Sequence, residues 1–84
     1  MAILRNAHLL RQFLAVANEG SLTAAAQKLA VTQPALTKSI RRLEQELGAP
    51  LFERLPRGIA LTVYGKTLLP HAQRIVAECR LADL

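Results

Sequence analysis

The sequence is poor in the residues that build disulfides, metal sites and membrane spans. It holds one cysteine and two histidines, so an internal disulfide is excluded and no ligand cluster stands at metal-binding spacing. No apolar run approaches the roughly 18–20 residues that a membrane-spanning helix needs. The first residues include Arg5 and Arg11 and lack a small-residue cleavage site, which argues against a signal peptide. We therefore expect a cytoplasmic protein without a membrane partner.

Catalytic motifs are equally scarce. Ser21, His71 and Asp83 are present, but no nucleophile elbow, glycine-rich phosphate loop or suggestive pair of carboxylates accompanies them. The sequence predicts neither an enzyme nor a cofactor site. What is abundant is positive charge, with 11 Lys and Arg against 6 Asp and Glu and a net charge of +5. This excess favours a polyanionic partner, either nucleic acid or an anionic membrane surface.

Helix start and stop signals predict a helix-turn-helix. A first helix ends at Glu19–Gly20, and Ser21 has the side chain of an N-cap for a short second helix over 22–29. After a connection of a few residues, Thr32 caps a third helix that runs over 33–47. Two helices joined by so short a turn form the geometry of a helix-turn-helix.

The rest of the chain predicts a hairpin and a long helix. Two short apolar pieces, 51–54 and 59–62, flank the turn-forming residues 55–58. Thr62 then caps a final helix over 63–84 that contains Pro70. Apolar residues of this helix recur in steps of four and three, which predicts a dimerisation seam of Leu68, Ala72, Ile75 and Cys79.

The predicted fold is mainly α: a winged helix-turn-helix of three helices and a two-stranded β wing, followed by a long C-terminal linker helix. We assign residues 1–62 to the winged helix-turn-helix and residues 63–84 to the linker and dimerisation helix. In the third helix the predicted buried stripe is Leu36, Ile40, Leu43 and Leu47. The outward face is predicted to be centred on Lys38, and its other members are Pro34, Ala35, Thr37, Arg41, Arg42 and Gln45, with Gln33 at the start of the helix.

This outward face suits the major groove of DNA. Gln33 can make a bidentate contact to adenine, and Lys38 or Arg41 can reach the acceptors of guanine. Ala35 and the methyl group of Thr37 can touch a thymine methyl. The alternative is an ordinary solvated basic face of a helix.

Two arginines flank the predicted wing. Arg57, beside Gly58, is expected to contact phosphate or enter a minor groove. Arg54 either makes a similar contact or holds the wing against the body through Glu53 or Glu44.

Three stretches of the chain, in this order, resemble the N-terminal domain of the LysR-type transcriptional regulators of bacteria. They are FLAVANEGSLTAAAQKL, TQPALTKSIRRLEQELG and LFERLPRGIALTVYG. The resemblance implies double-stranded DNA as partner and a homodimer through the linker helix, with tetramers in full-length proteins. It also implies that the start of the third helix and the wing contact DNA, with Gln33, Pro34, Ala35, Thr37 and Lys38 near bases, Arg41 and Arg42 near bases or phosphates, and Arg57 on the wing. It also implies that a small-molecule inducer binds a C-terminal domain that lies outside this sequence. Lys38 stands where the family more often has Arg, and Lys lacks the bidentate fork that reads guanine.

The leading hypothesis is therefore sequence-specific DNA binding by a dimer that reads an interrupted palindrome. Two alternatives remain: sequence-indifferent binding to nucleic acid through charge alone, and a protein-interaction module that uses the final helix as a coiled-coil arm.

Overall fold

The computed structural model describes residues 7–82, with side chains through residue 79. The types and order of the elements are those that the sequence predicts. They are α1 (Ala7–Glu19), α2 (Leu22–Leu29), α3 (Gln33–Leu47), β1 (Phe52–Leu55), β2 (Gly58–Leu61) and α4 (Val63–Ala82).

Local capping fixes where α2 and α3 begin. The Ser21 Oγ accepts a hydrogen bond from the Ala24 N–H at 3.2 Å, and the Thr32 Oγ1 accepts one from the Ala35 N–H at 3.2 Å. Each cap satisfies a donor that the first turn of a helix leaves free. Both caps and the bounds of α2 are as predicted.

The turn between α2 and α3 is tight because one alanine adopts a left-handed conformation. Ala30 has a φ of 57°, and the next N–H, of Val31, donates to the Ala26 carbonyl at 3.0 Å. Only three residues, 30–32, therefore separate the two helices. The starts of the two helices also lie close together, since the Thr23 Oγ1 is 3.2 Å from the Gln33 Oε1.

The core lies where α1 meets the other three helices. Phe13, Val16, Ala25 and Leu36 have no exposed surface. The predicted buried stripe of α3 holds except at Leu47, which is 49% exposed. The prediction for Leu47 is wrong because the last turn of α3 extends past the core and instead borders a surface groove with Tyr64.

The wing is a short antiparallel hairpin with a tighter turn than predicted. Leu55 pairs with Gly58, so the turn is the two residues Pro56 and Arg57, and each strand reaches one residue farther towards it. Gly58 has a φ of 100°, and a Cβ there would come within 2.8 Å of the Gly20 carbonyl oxygen. That oxygen accepts a hydrogen bond from the Ile59 N–H at 3.3 Å, which ties the wing to the corner between α1 and α2.

The last helix, α4, is part of the core as well as the C-terminal extension. The Thr62 Oγ1 accepts from the Gly65 N–H at 3.1 Å, so the predicted cap is present. The helix continues through Pro70. Ala72 and Val76 are buried in the common core, and α4 packs against α1.

Candidate nucleic-acid interface

The outward face of α3 carries the predicted groove-reading residues. Leu36, Ile40 and Leu43 are buried and define the face of α3 that packs on the core. Side chains on the opposite face of the helix therefore point away from the core. All of the predicted residues are exposed except Thr37, which is half-buried: Gln33, Pro34, Ala35, Thr37, Lys38, Arg41 and Arg42.

One hydrogen bond links the start of α3 to the start of α2. The Thr23 Oγ1 donates to the Gln33 Oε1 at 3.2 Å. Both side chains are exposed, so this pair lies on the surface that the interface would use. Sequence reasoning missed Thr23 because ten positions separate it from its partner.

Arg54 on β1 lies beside α3. It borders two crevices between the wing and the helix-turn-helix: one is also lined by Thr37 and Arg41, and the other by Thr23 and Gln33. The hairpin thus brings Arg54 next to the residues that α3 presents. Arg57 is exposed in the turn at the tip of the wing.

Most cations of this surface have no carboxylate partner. Arg42 is the exception, since its Nε lies 3.6 Å from the Glu46 Oε1, with both side chains substantially exposed. Such a surface pair contributes about 0–1 kcal/mol, so phosphate can replace Glu46 at little cost. Within residues 7–82 no ion pair is formed by Lys38, Arg41, Arg54 or Arg57.

Glu44 anchors the wing to α3. Its Oε2 accepts a hydrogen bond from the Leu51 N–H at 2.7 Å, and Leu51 is 1% exposed. The sequence left open whether Arg54 holds the wing through Glu44 or Glu53. In the described part of the chain this anchoring contact is made by a backbone N–H, and Arg54 forms no ion pair.

We expect Glu44→Ala to destabilise the domain by about 1–3 kcal/mol because the buried Leu51 N–H loses its acceptor. Glu44→Gln keeps an acceptor oxygen and should cost much less. Denaturant unfolding of both variants, with the exposed Glu46→Ala as control, measures the difference. Equal stability of the Ala and Gln variants would contradict an anchoring role for Glu44.

The predicted seam on α4 divides into two layers. Ala72 and Cys79 are buried within the chain, at 0% and 8% exposure, whereas Leu68 and Ile75 are half-buried. Leu68 also lines an apolar groove with other residues of α3, α4 and the segment between α3 and β1: Leu47, Ala49, Leu51, Tyr64, Thr67 and His71.

Other types of site are not found in the described ranges. Residues 7–82 contain no group of three or more His, Cys, Asp or Glu side chains placed to hold a metal ion. No helix in this part of the protein has the length and apolar character needed to cross a membrane.

Comparison with known proteins defines the class. The family model for the bacterial regulatory helix-turn-helix proteins of the lysR family matches residues 7–66. The HTH-type transcriptional regulator ClcR of Pseudomonas putida is 51% identical over 67 residues, which are 80% of this chain and 23% of ClcR. The solved CbnR_DBD–DNA complex aligns with a TM-score of 0.87 at 40% identity, covering 92% of this chain and 88% of that one. The solved BenM_DBD/catB site 1 DNA complex aligns with a TM-score of 0.85 at 37% identity, covering 90% of this chain and 85% of that one.

The fold is that of a winged helix-turn-helix DNA-binding domain. The chain belongs to the lysR family of bacterial regulatory helix-turn-helix proteins. The curated relatives to which it is similar are named as HTH-type transcriptional regulators. The chain spans between 23% and 48% of the length of the first curated relatives that it matches.

Proposed function

We propose that this chain binds double-stranded DNA sequence-specifically, with α3 in the major groove and the wing on the adjacent minor groove or backbone. The observation that most supports this is the exposed polar and cationic face of α3, which begins at Gln33 and has Arg54 beside it. The aligned CbnR_DBD and BenM_DBD structures are complexes with DNA.

In this proposal one group of side chains supplies affinity for DNA and another supplies base preference. Cations displace counterions from the phosphates and supply most of the affinity; they are Lys38, Arg41, Arg42, Arg54 and Arg57. Near the bases, each good pairing contributes on the order of 1–3 kcal/mol of discrimination. These pairings are made by Gln33, Ala35, Thr37 and Lys38, and Pro34 lies near the bases beside them.

The proposal includes a homodimer through α4, the linker helix assigned to residues 63–84. Leu68 and Ile75 leave apolar surface on α4, and the exposed Leu47 and Tyr64 extend it. Ala72 and Cys79 lie in the deeper layer that holds α4 on its own core. A two-fold dimer places two copies of α3 on half-sites about 34 Å apart or a multiple of that. The target would therefore be an interrupted palindrome.

The chain matches only part of each regulator to which it is similar. We propose that a complete protein of this type works in the bacterial cytoplasm, assembles as a tetramer and binds a small-molecule inducer through a C-terminal domain.

Selection of bound sequences from a random duplex pool, at about 150 mM salt, tests the proposed function. Enrichment of an interrupted palindrome is the expected result. Binding without enrichment would favour contacts to the backbone alone, and absence of binding would contradict the proposal. Sedimentation across protein concentrations, with and without the selected duplex, tests the dimer, and a single chain per palindrome would refute it.

Single substitutions separate base contacts from phosphate contacts. We expect Gln33→Ala to reduce preference at one base pair of each half-site, because only that side chain is lost from the groove. Arg42→Ala should weaken binding to all duplexes alike, because phosphate carries no sequence information. Competition against duplexes with single base changes measures both effects. Loss of the same preference in both variants would show that the two roles are assigned wrongly.

A further inference from the structure

We propose that Thr23 is a positioning residue that fixes the side-chain amide of Gln33 and thereby sets its base preference. This inference rests on the proposed function. Thr23 is the second residue of α2 and Gln33 the first of α3. The 3.2 Å hydrogen bond between them is a side-chain link from one helix of the helix-turn-helix to the groove-reading end of the other.

Thr23 is well held for this purpose. Its helix begins at the Ser21 cap and is packed into the core through Ala25 and Ala26. A β-branched side chain in a helix has few accessible rotamers. The hydroxyl group therefore has few possible positions, whereas a glutamine side chain on an exposed surface rotates about three bonds.

In the structure the hydrogen bond holds the amide in one orientation. The Thr23 hydroxyl donates to the carbonyl oxygen of Gln33, and this oxygen has a second lone pair for the adenine N6 amino group. The Gln33 Nε2 then remains available to donate to adenine N7. Rotation of the amide by half a turn would exchange donor and acceptor and lose the bidentate adenine contact. With the amide held in this orientation, Gln33 presents the acceptor and the donor that adenine requires, and we infer that Thr23 supports adenine over guanine at this base pair.

Thr23 could instead donate directly to a DNA phosphate, since it is exposed at the start of a helix. That role would strengthen binding to every sequence equally and would not depend on Gln33. The two roles give different results in a double-mutant experiment.

The base pair that Gln33 reads is the one at which the Gln33→Ala variant loses its base preference. The test compares binding to the selected palindrome, with adenine at that position, and to a second duplex with guanine there. Thr23→Val removes the hydroxyl with almost no change of shape, and Thr23→Ser keeps it. We expect Thr23→Val to lower the adenine-to-guanine preference by about three- to tenfold, as for loss of one hydrogen bond. Thr23→Ser should retain it. In the Gln33→Ala background, Thr23→Val should cause no further change.

Gln27→Ala is the control, because Gln27 is also an exposed side chain of α2 and lines neither of the two crevices beside Arg54. It should leave the preference unchanged. The proposal is overturned if Thr23→Val keeps the wild-type preference, or if it weakens both duplexes equally. Absence of any preference in the wild-type chain would refute the proposed function itself, and the inference with it.

Discussion

Gly65→Ala is expected to destabilise this domain by about 1–3 kcal/mol, as overpacking of a tight contact does. The sign is unusual, since alanine in a helix is normally about 0.5–1 kcal/mol more favourable than glycine. Gly65 lies in the first turn of α4, where an added Cβ would collide with the Leu51 carbonyl oxygen and would lie 2.8 Å from the Leu61 Cδ2. The Leu51 oxygen already accepts from the Thr62 N–H at 2.9 Å and cannot move alone.

Thermal unfolding measures this effect, and a loss of 1–3 kcal/mol corresponds to a decrease in Tm of roughly 5–20 °C in a domain of this size. Ala77→Gly on the exposed side of the same helix is the control. It reports the ordinary preference of α4 for alanine, and it should also lower the Tm. A higher Tm for Gly65→Ala would show that the junction between the wing and α4 accommodates the added methyl group without a clash.

The second large effect is the salt dependence of DNA binding. If the cations of α3 and the wing contact phosphate in both subunits, the association constant should fall by about 10³–10⁵-fold between about 50 and 200 mM salt. Arg57→Gln should make the slope of log K against log salt shallower by about 0.9 for each phosphate contact removed. Fluorescence anisotropy with the selected duplex over a salt series gives both values.

Lys28→Gln makes the same change of charge away from the proposed interface. Lys28 pairs with Glu19 at 3.5 Å and lines a groove with residues of α1 and α4, not of α3 or the wing. The slope of log K against log salt for the Lys28→Gln variant should match that of the wild-type chain. An equal change of slope in the Lys28 and Arg57 variants would indicate that net charge, and not a defined surface, determines binding.

Features set by neighbouring residues could be predicted from the sequence. The Ser21, Thr32 and Thr62 caps depend on one side chain and an N–H three positions later, so a short motif is sufficient to find them. The family resemblance rests on the same local signals and is confirmed by the match over residues 7–66.

Features that depend on where elements meet could not be predicted in this way. Helical periodicity places Leu47 on the apolar face of α3, but it contains no information on where the opposing helix ends. The α4 pattern likewise predicts an apolar seam without showing that Ala72 is covered by the chain's own core. The contacts of Thr23 with Gln33 and of Glu44 with Leu51 join different elements, and only the folded chain brings them together. The DNA-binding and dimer residues themselves remain predictions.

The packing of α4 on α1 has a mechanical consequence for any dimer built through α4. Because Ala72 and Val76 are embedded in the same core as the buried face of α3, we expect α3 and α4 to move together. The 20 residues of α4 make an arm about 30 Å long. A rotation of about 10° between two such arms would displace their far ends by several ångströms, by simple geometry. The spacing of the half-sites would then be adjusted by the angle at which the two α4 helices cross. The helix-turn-helix of each chain would keep its structure.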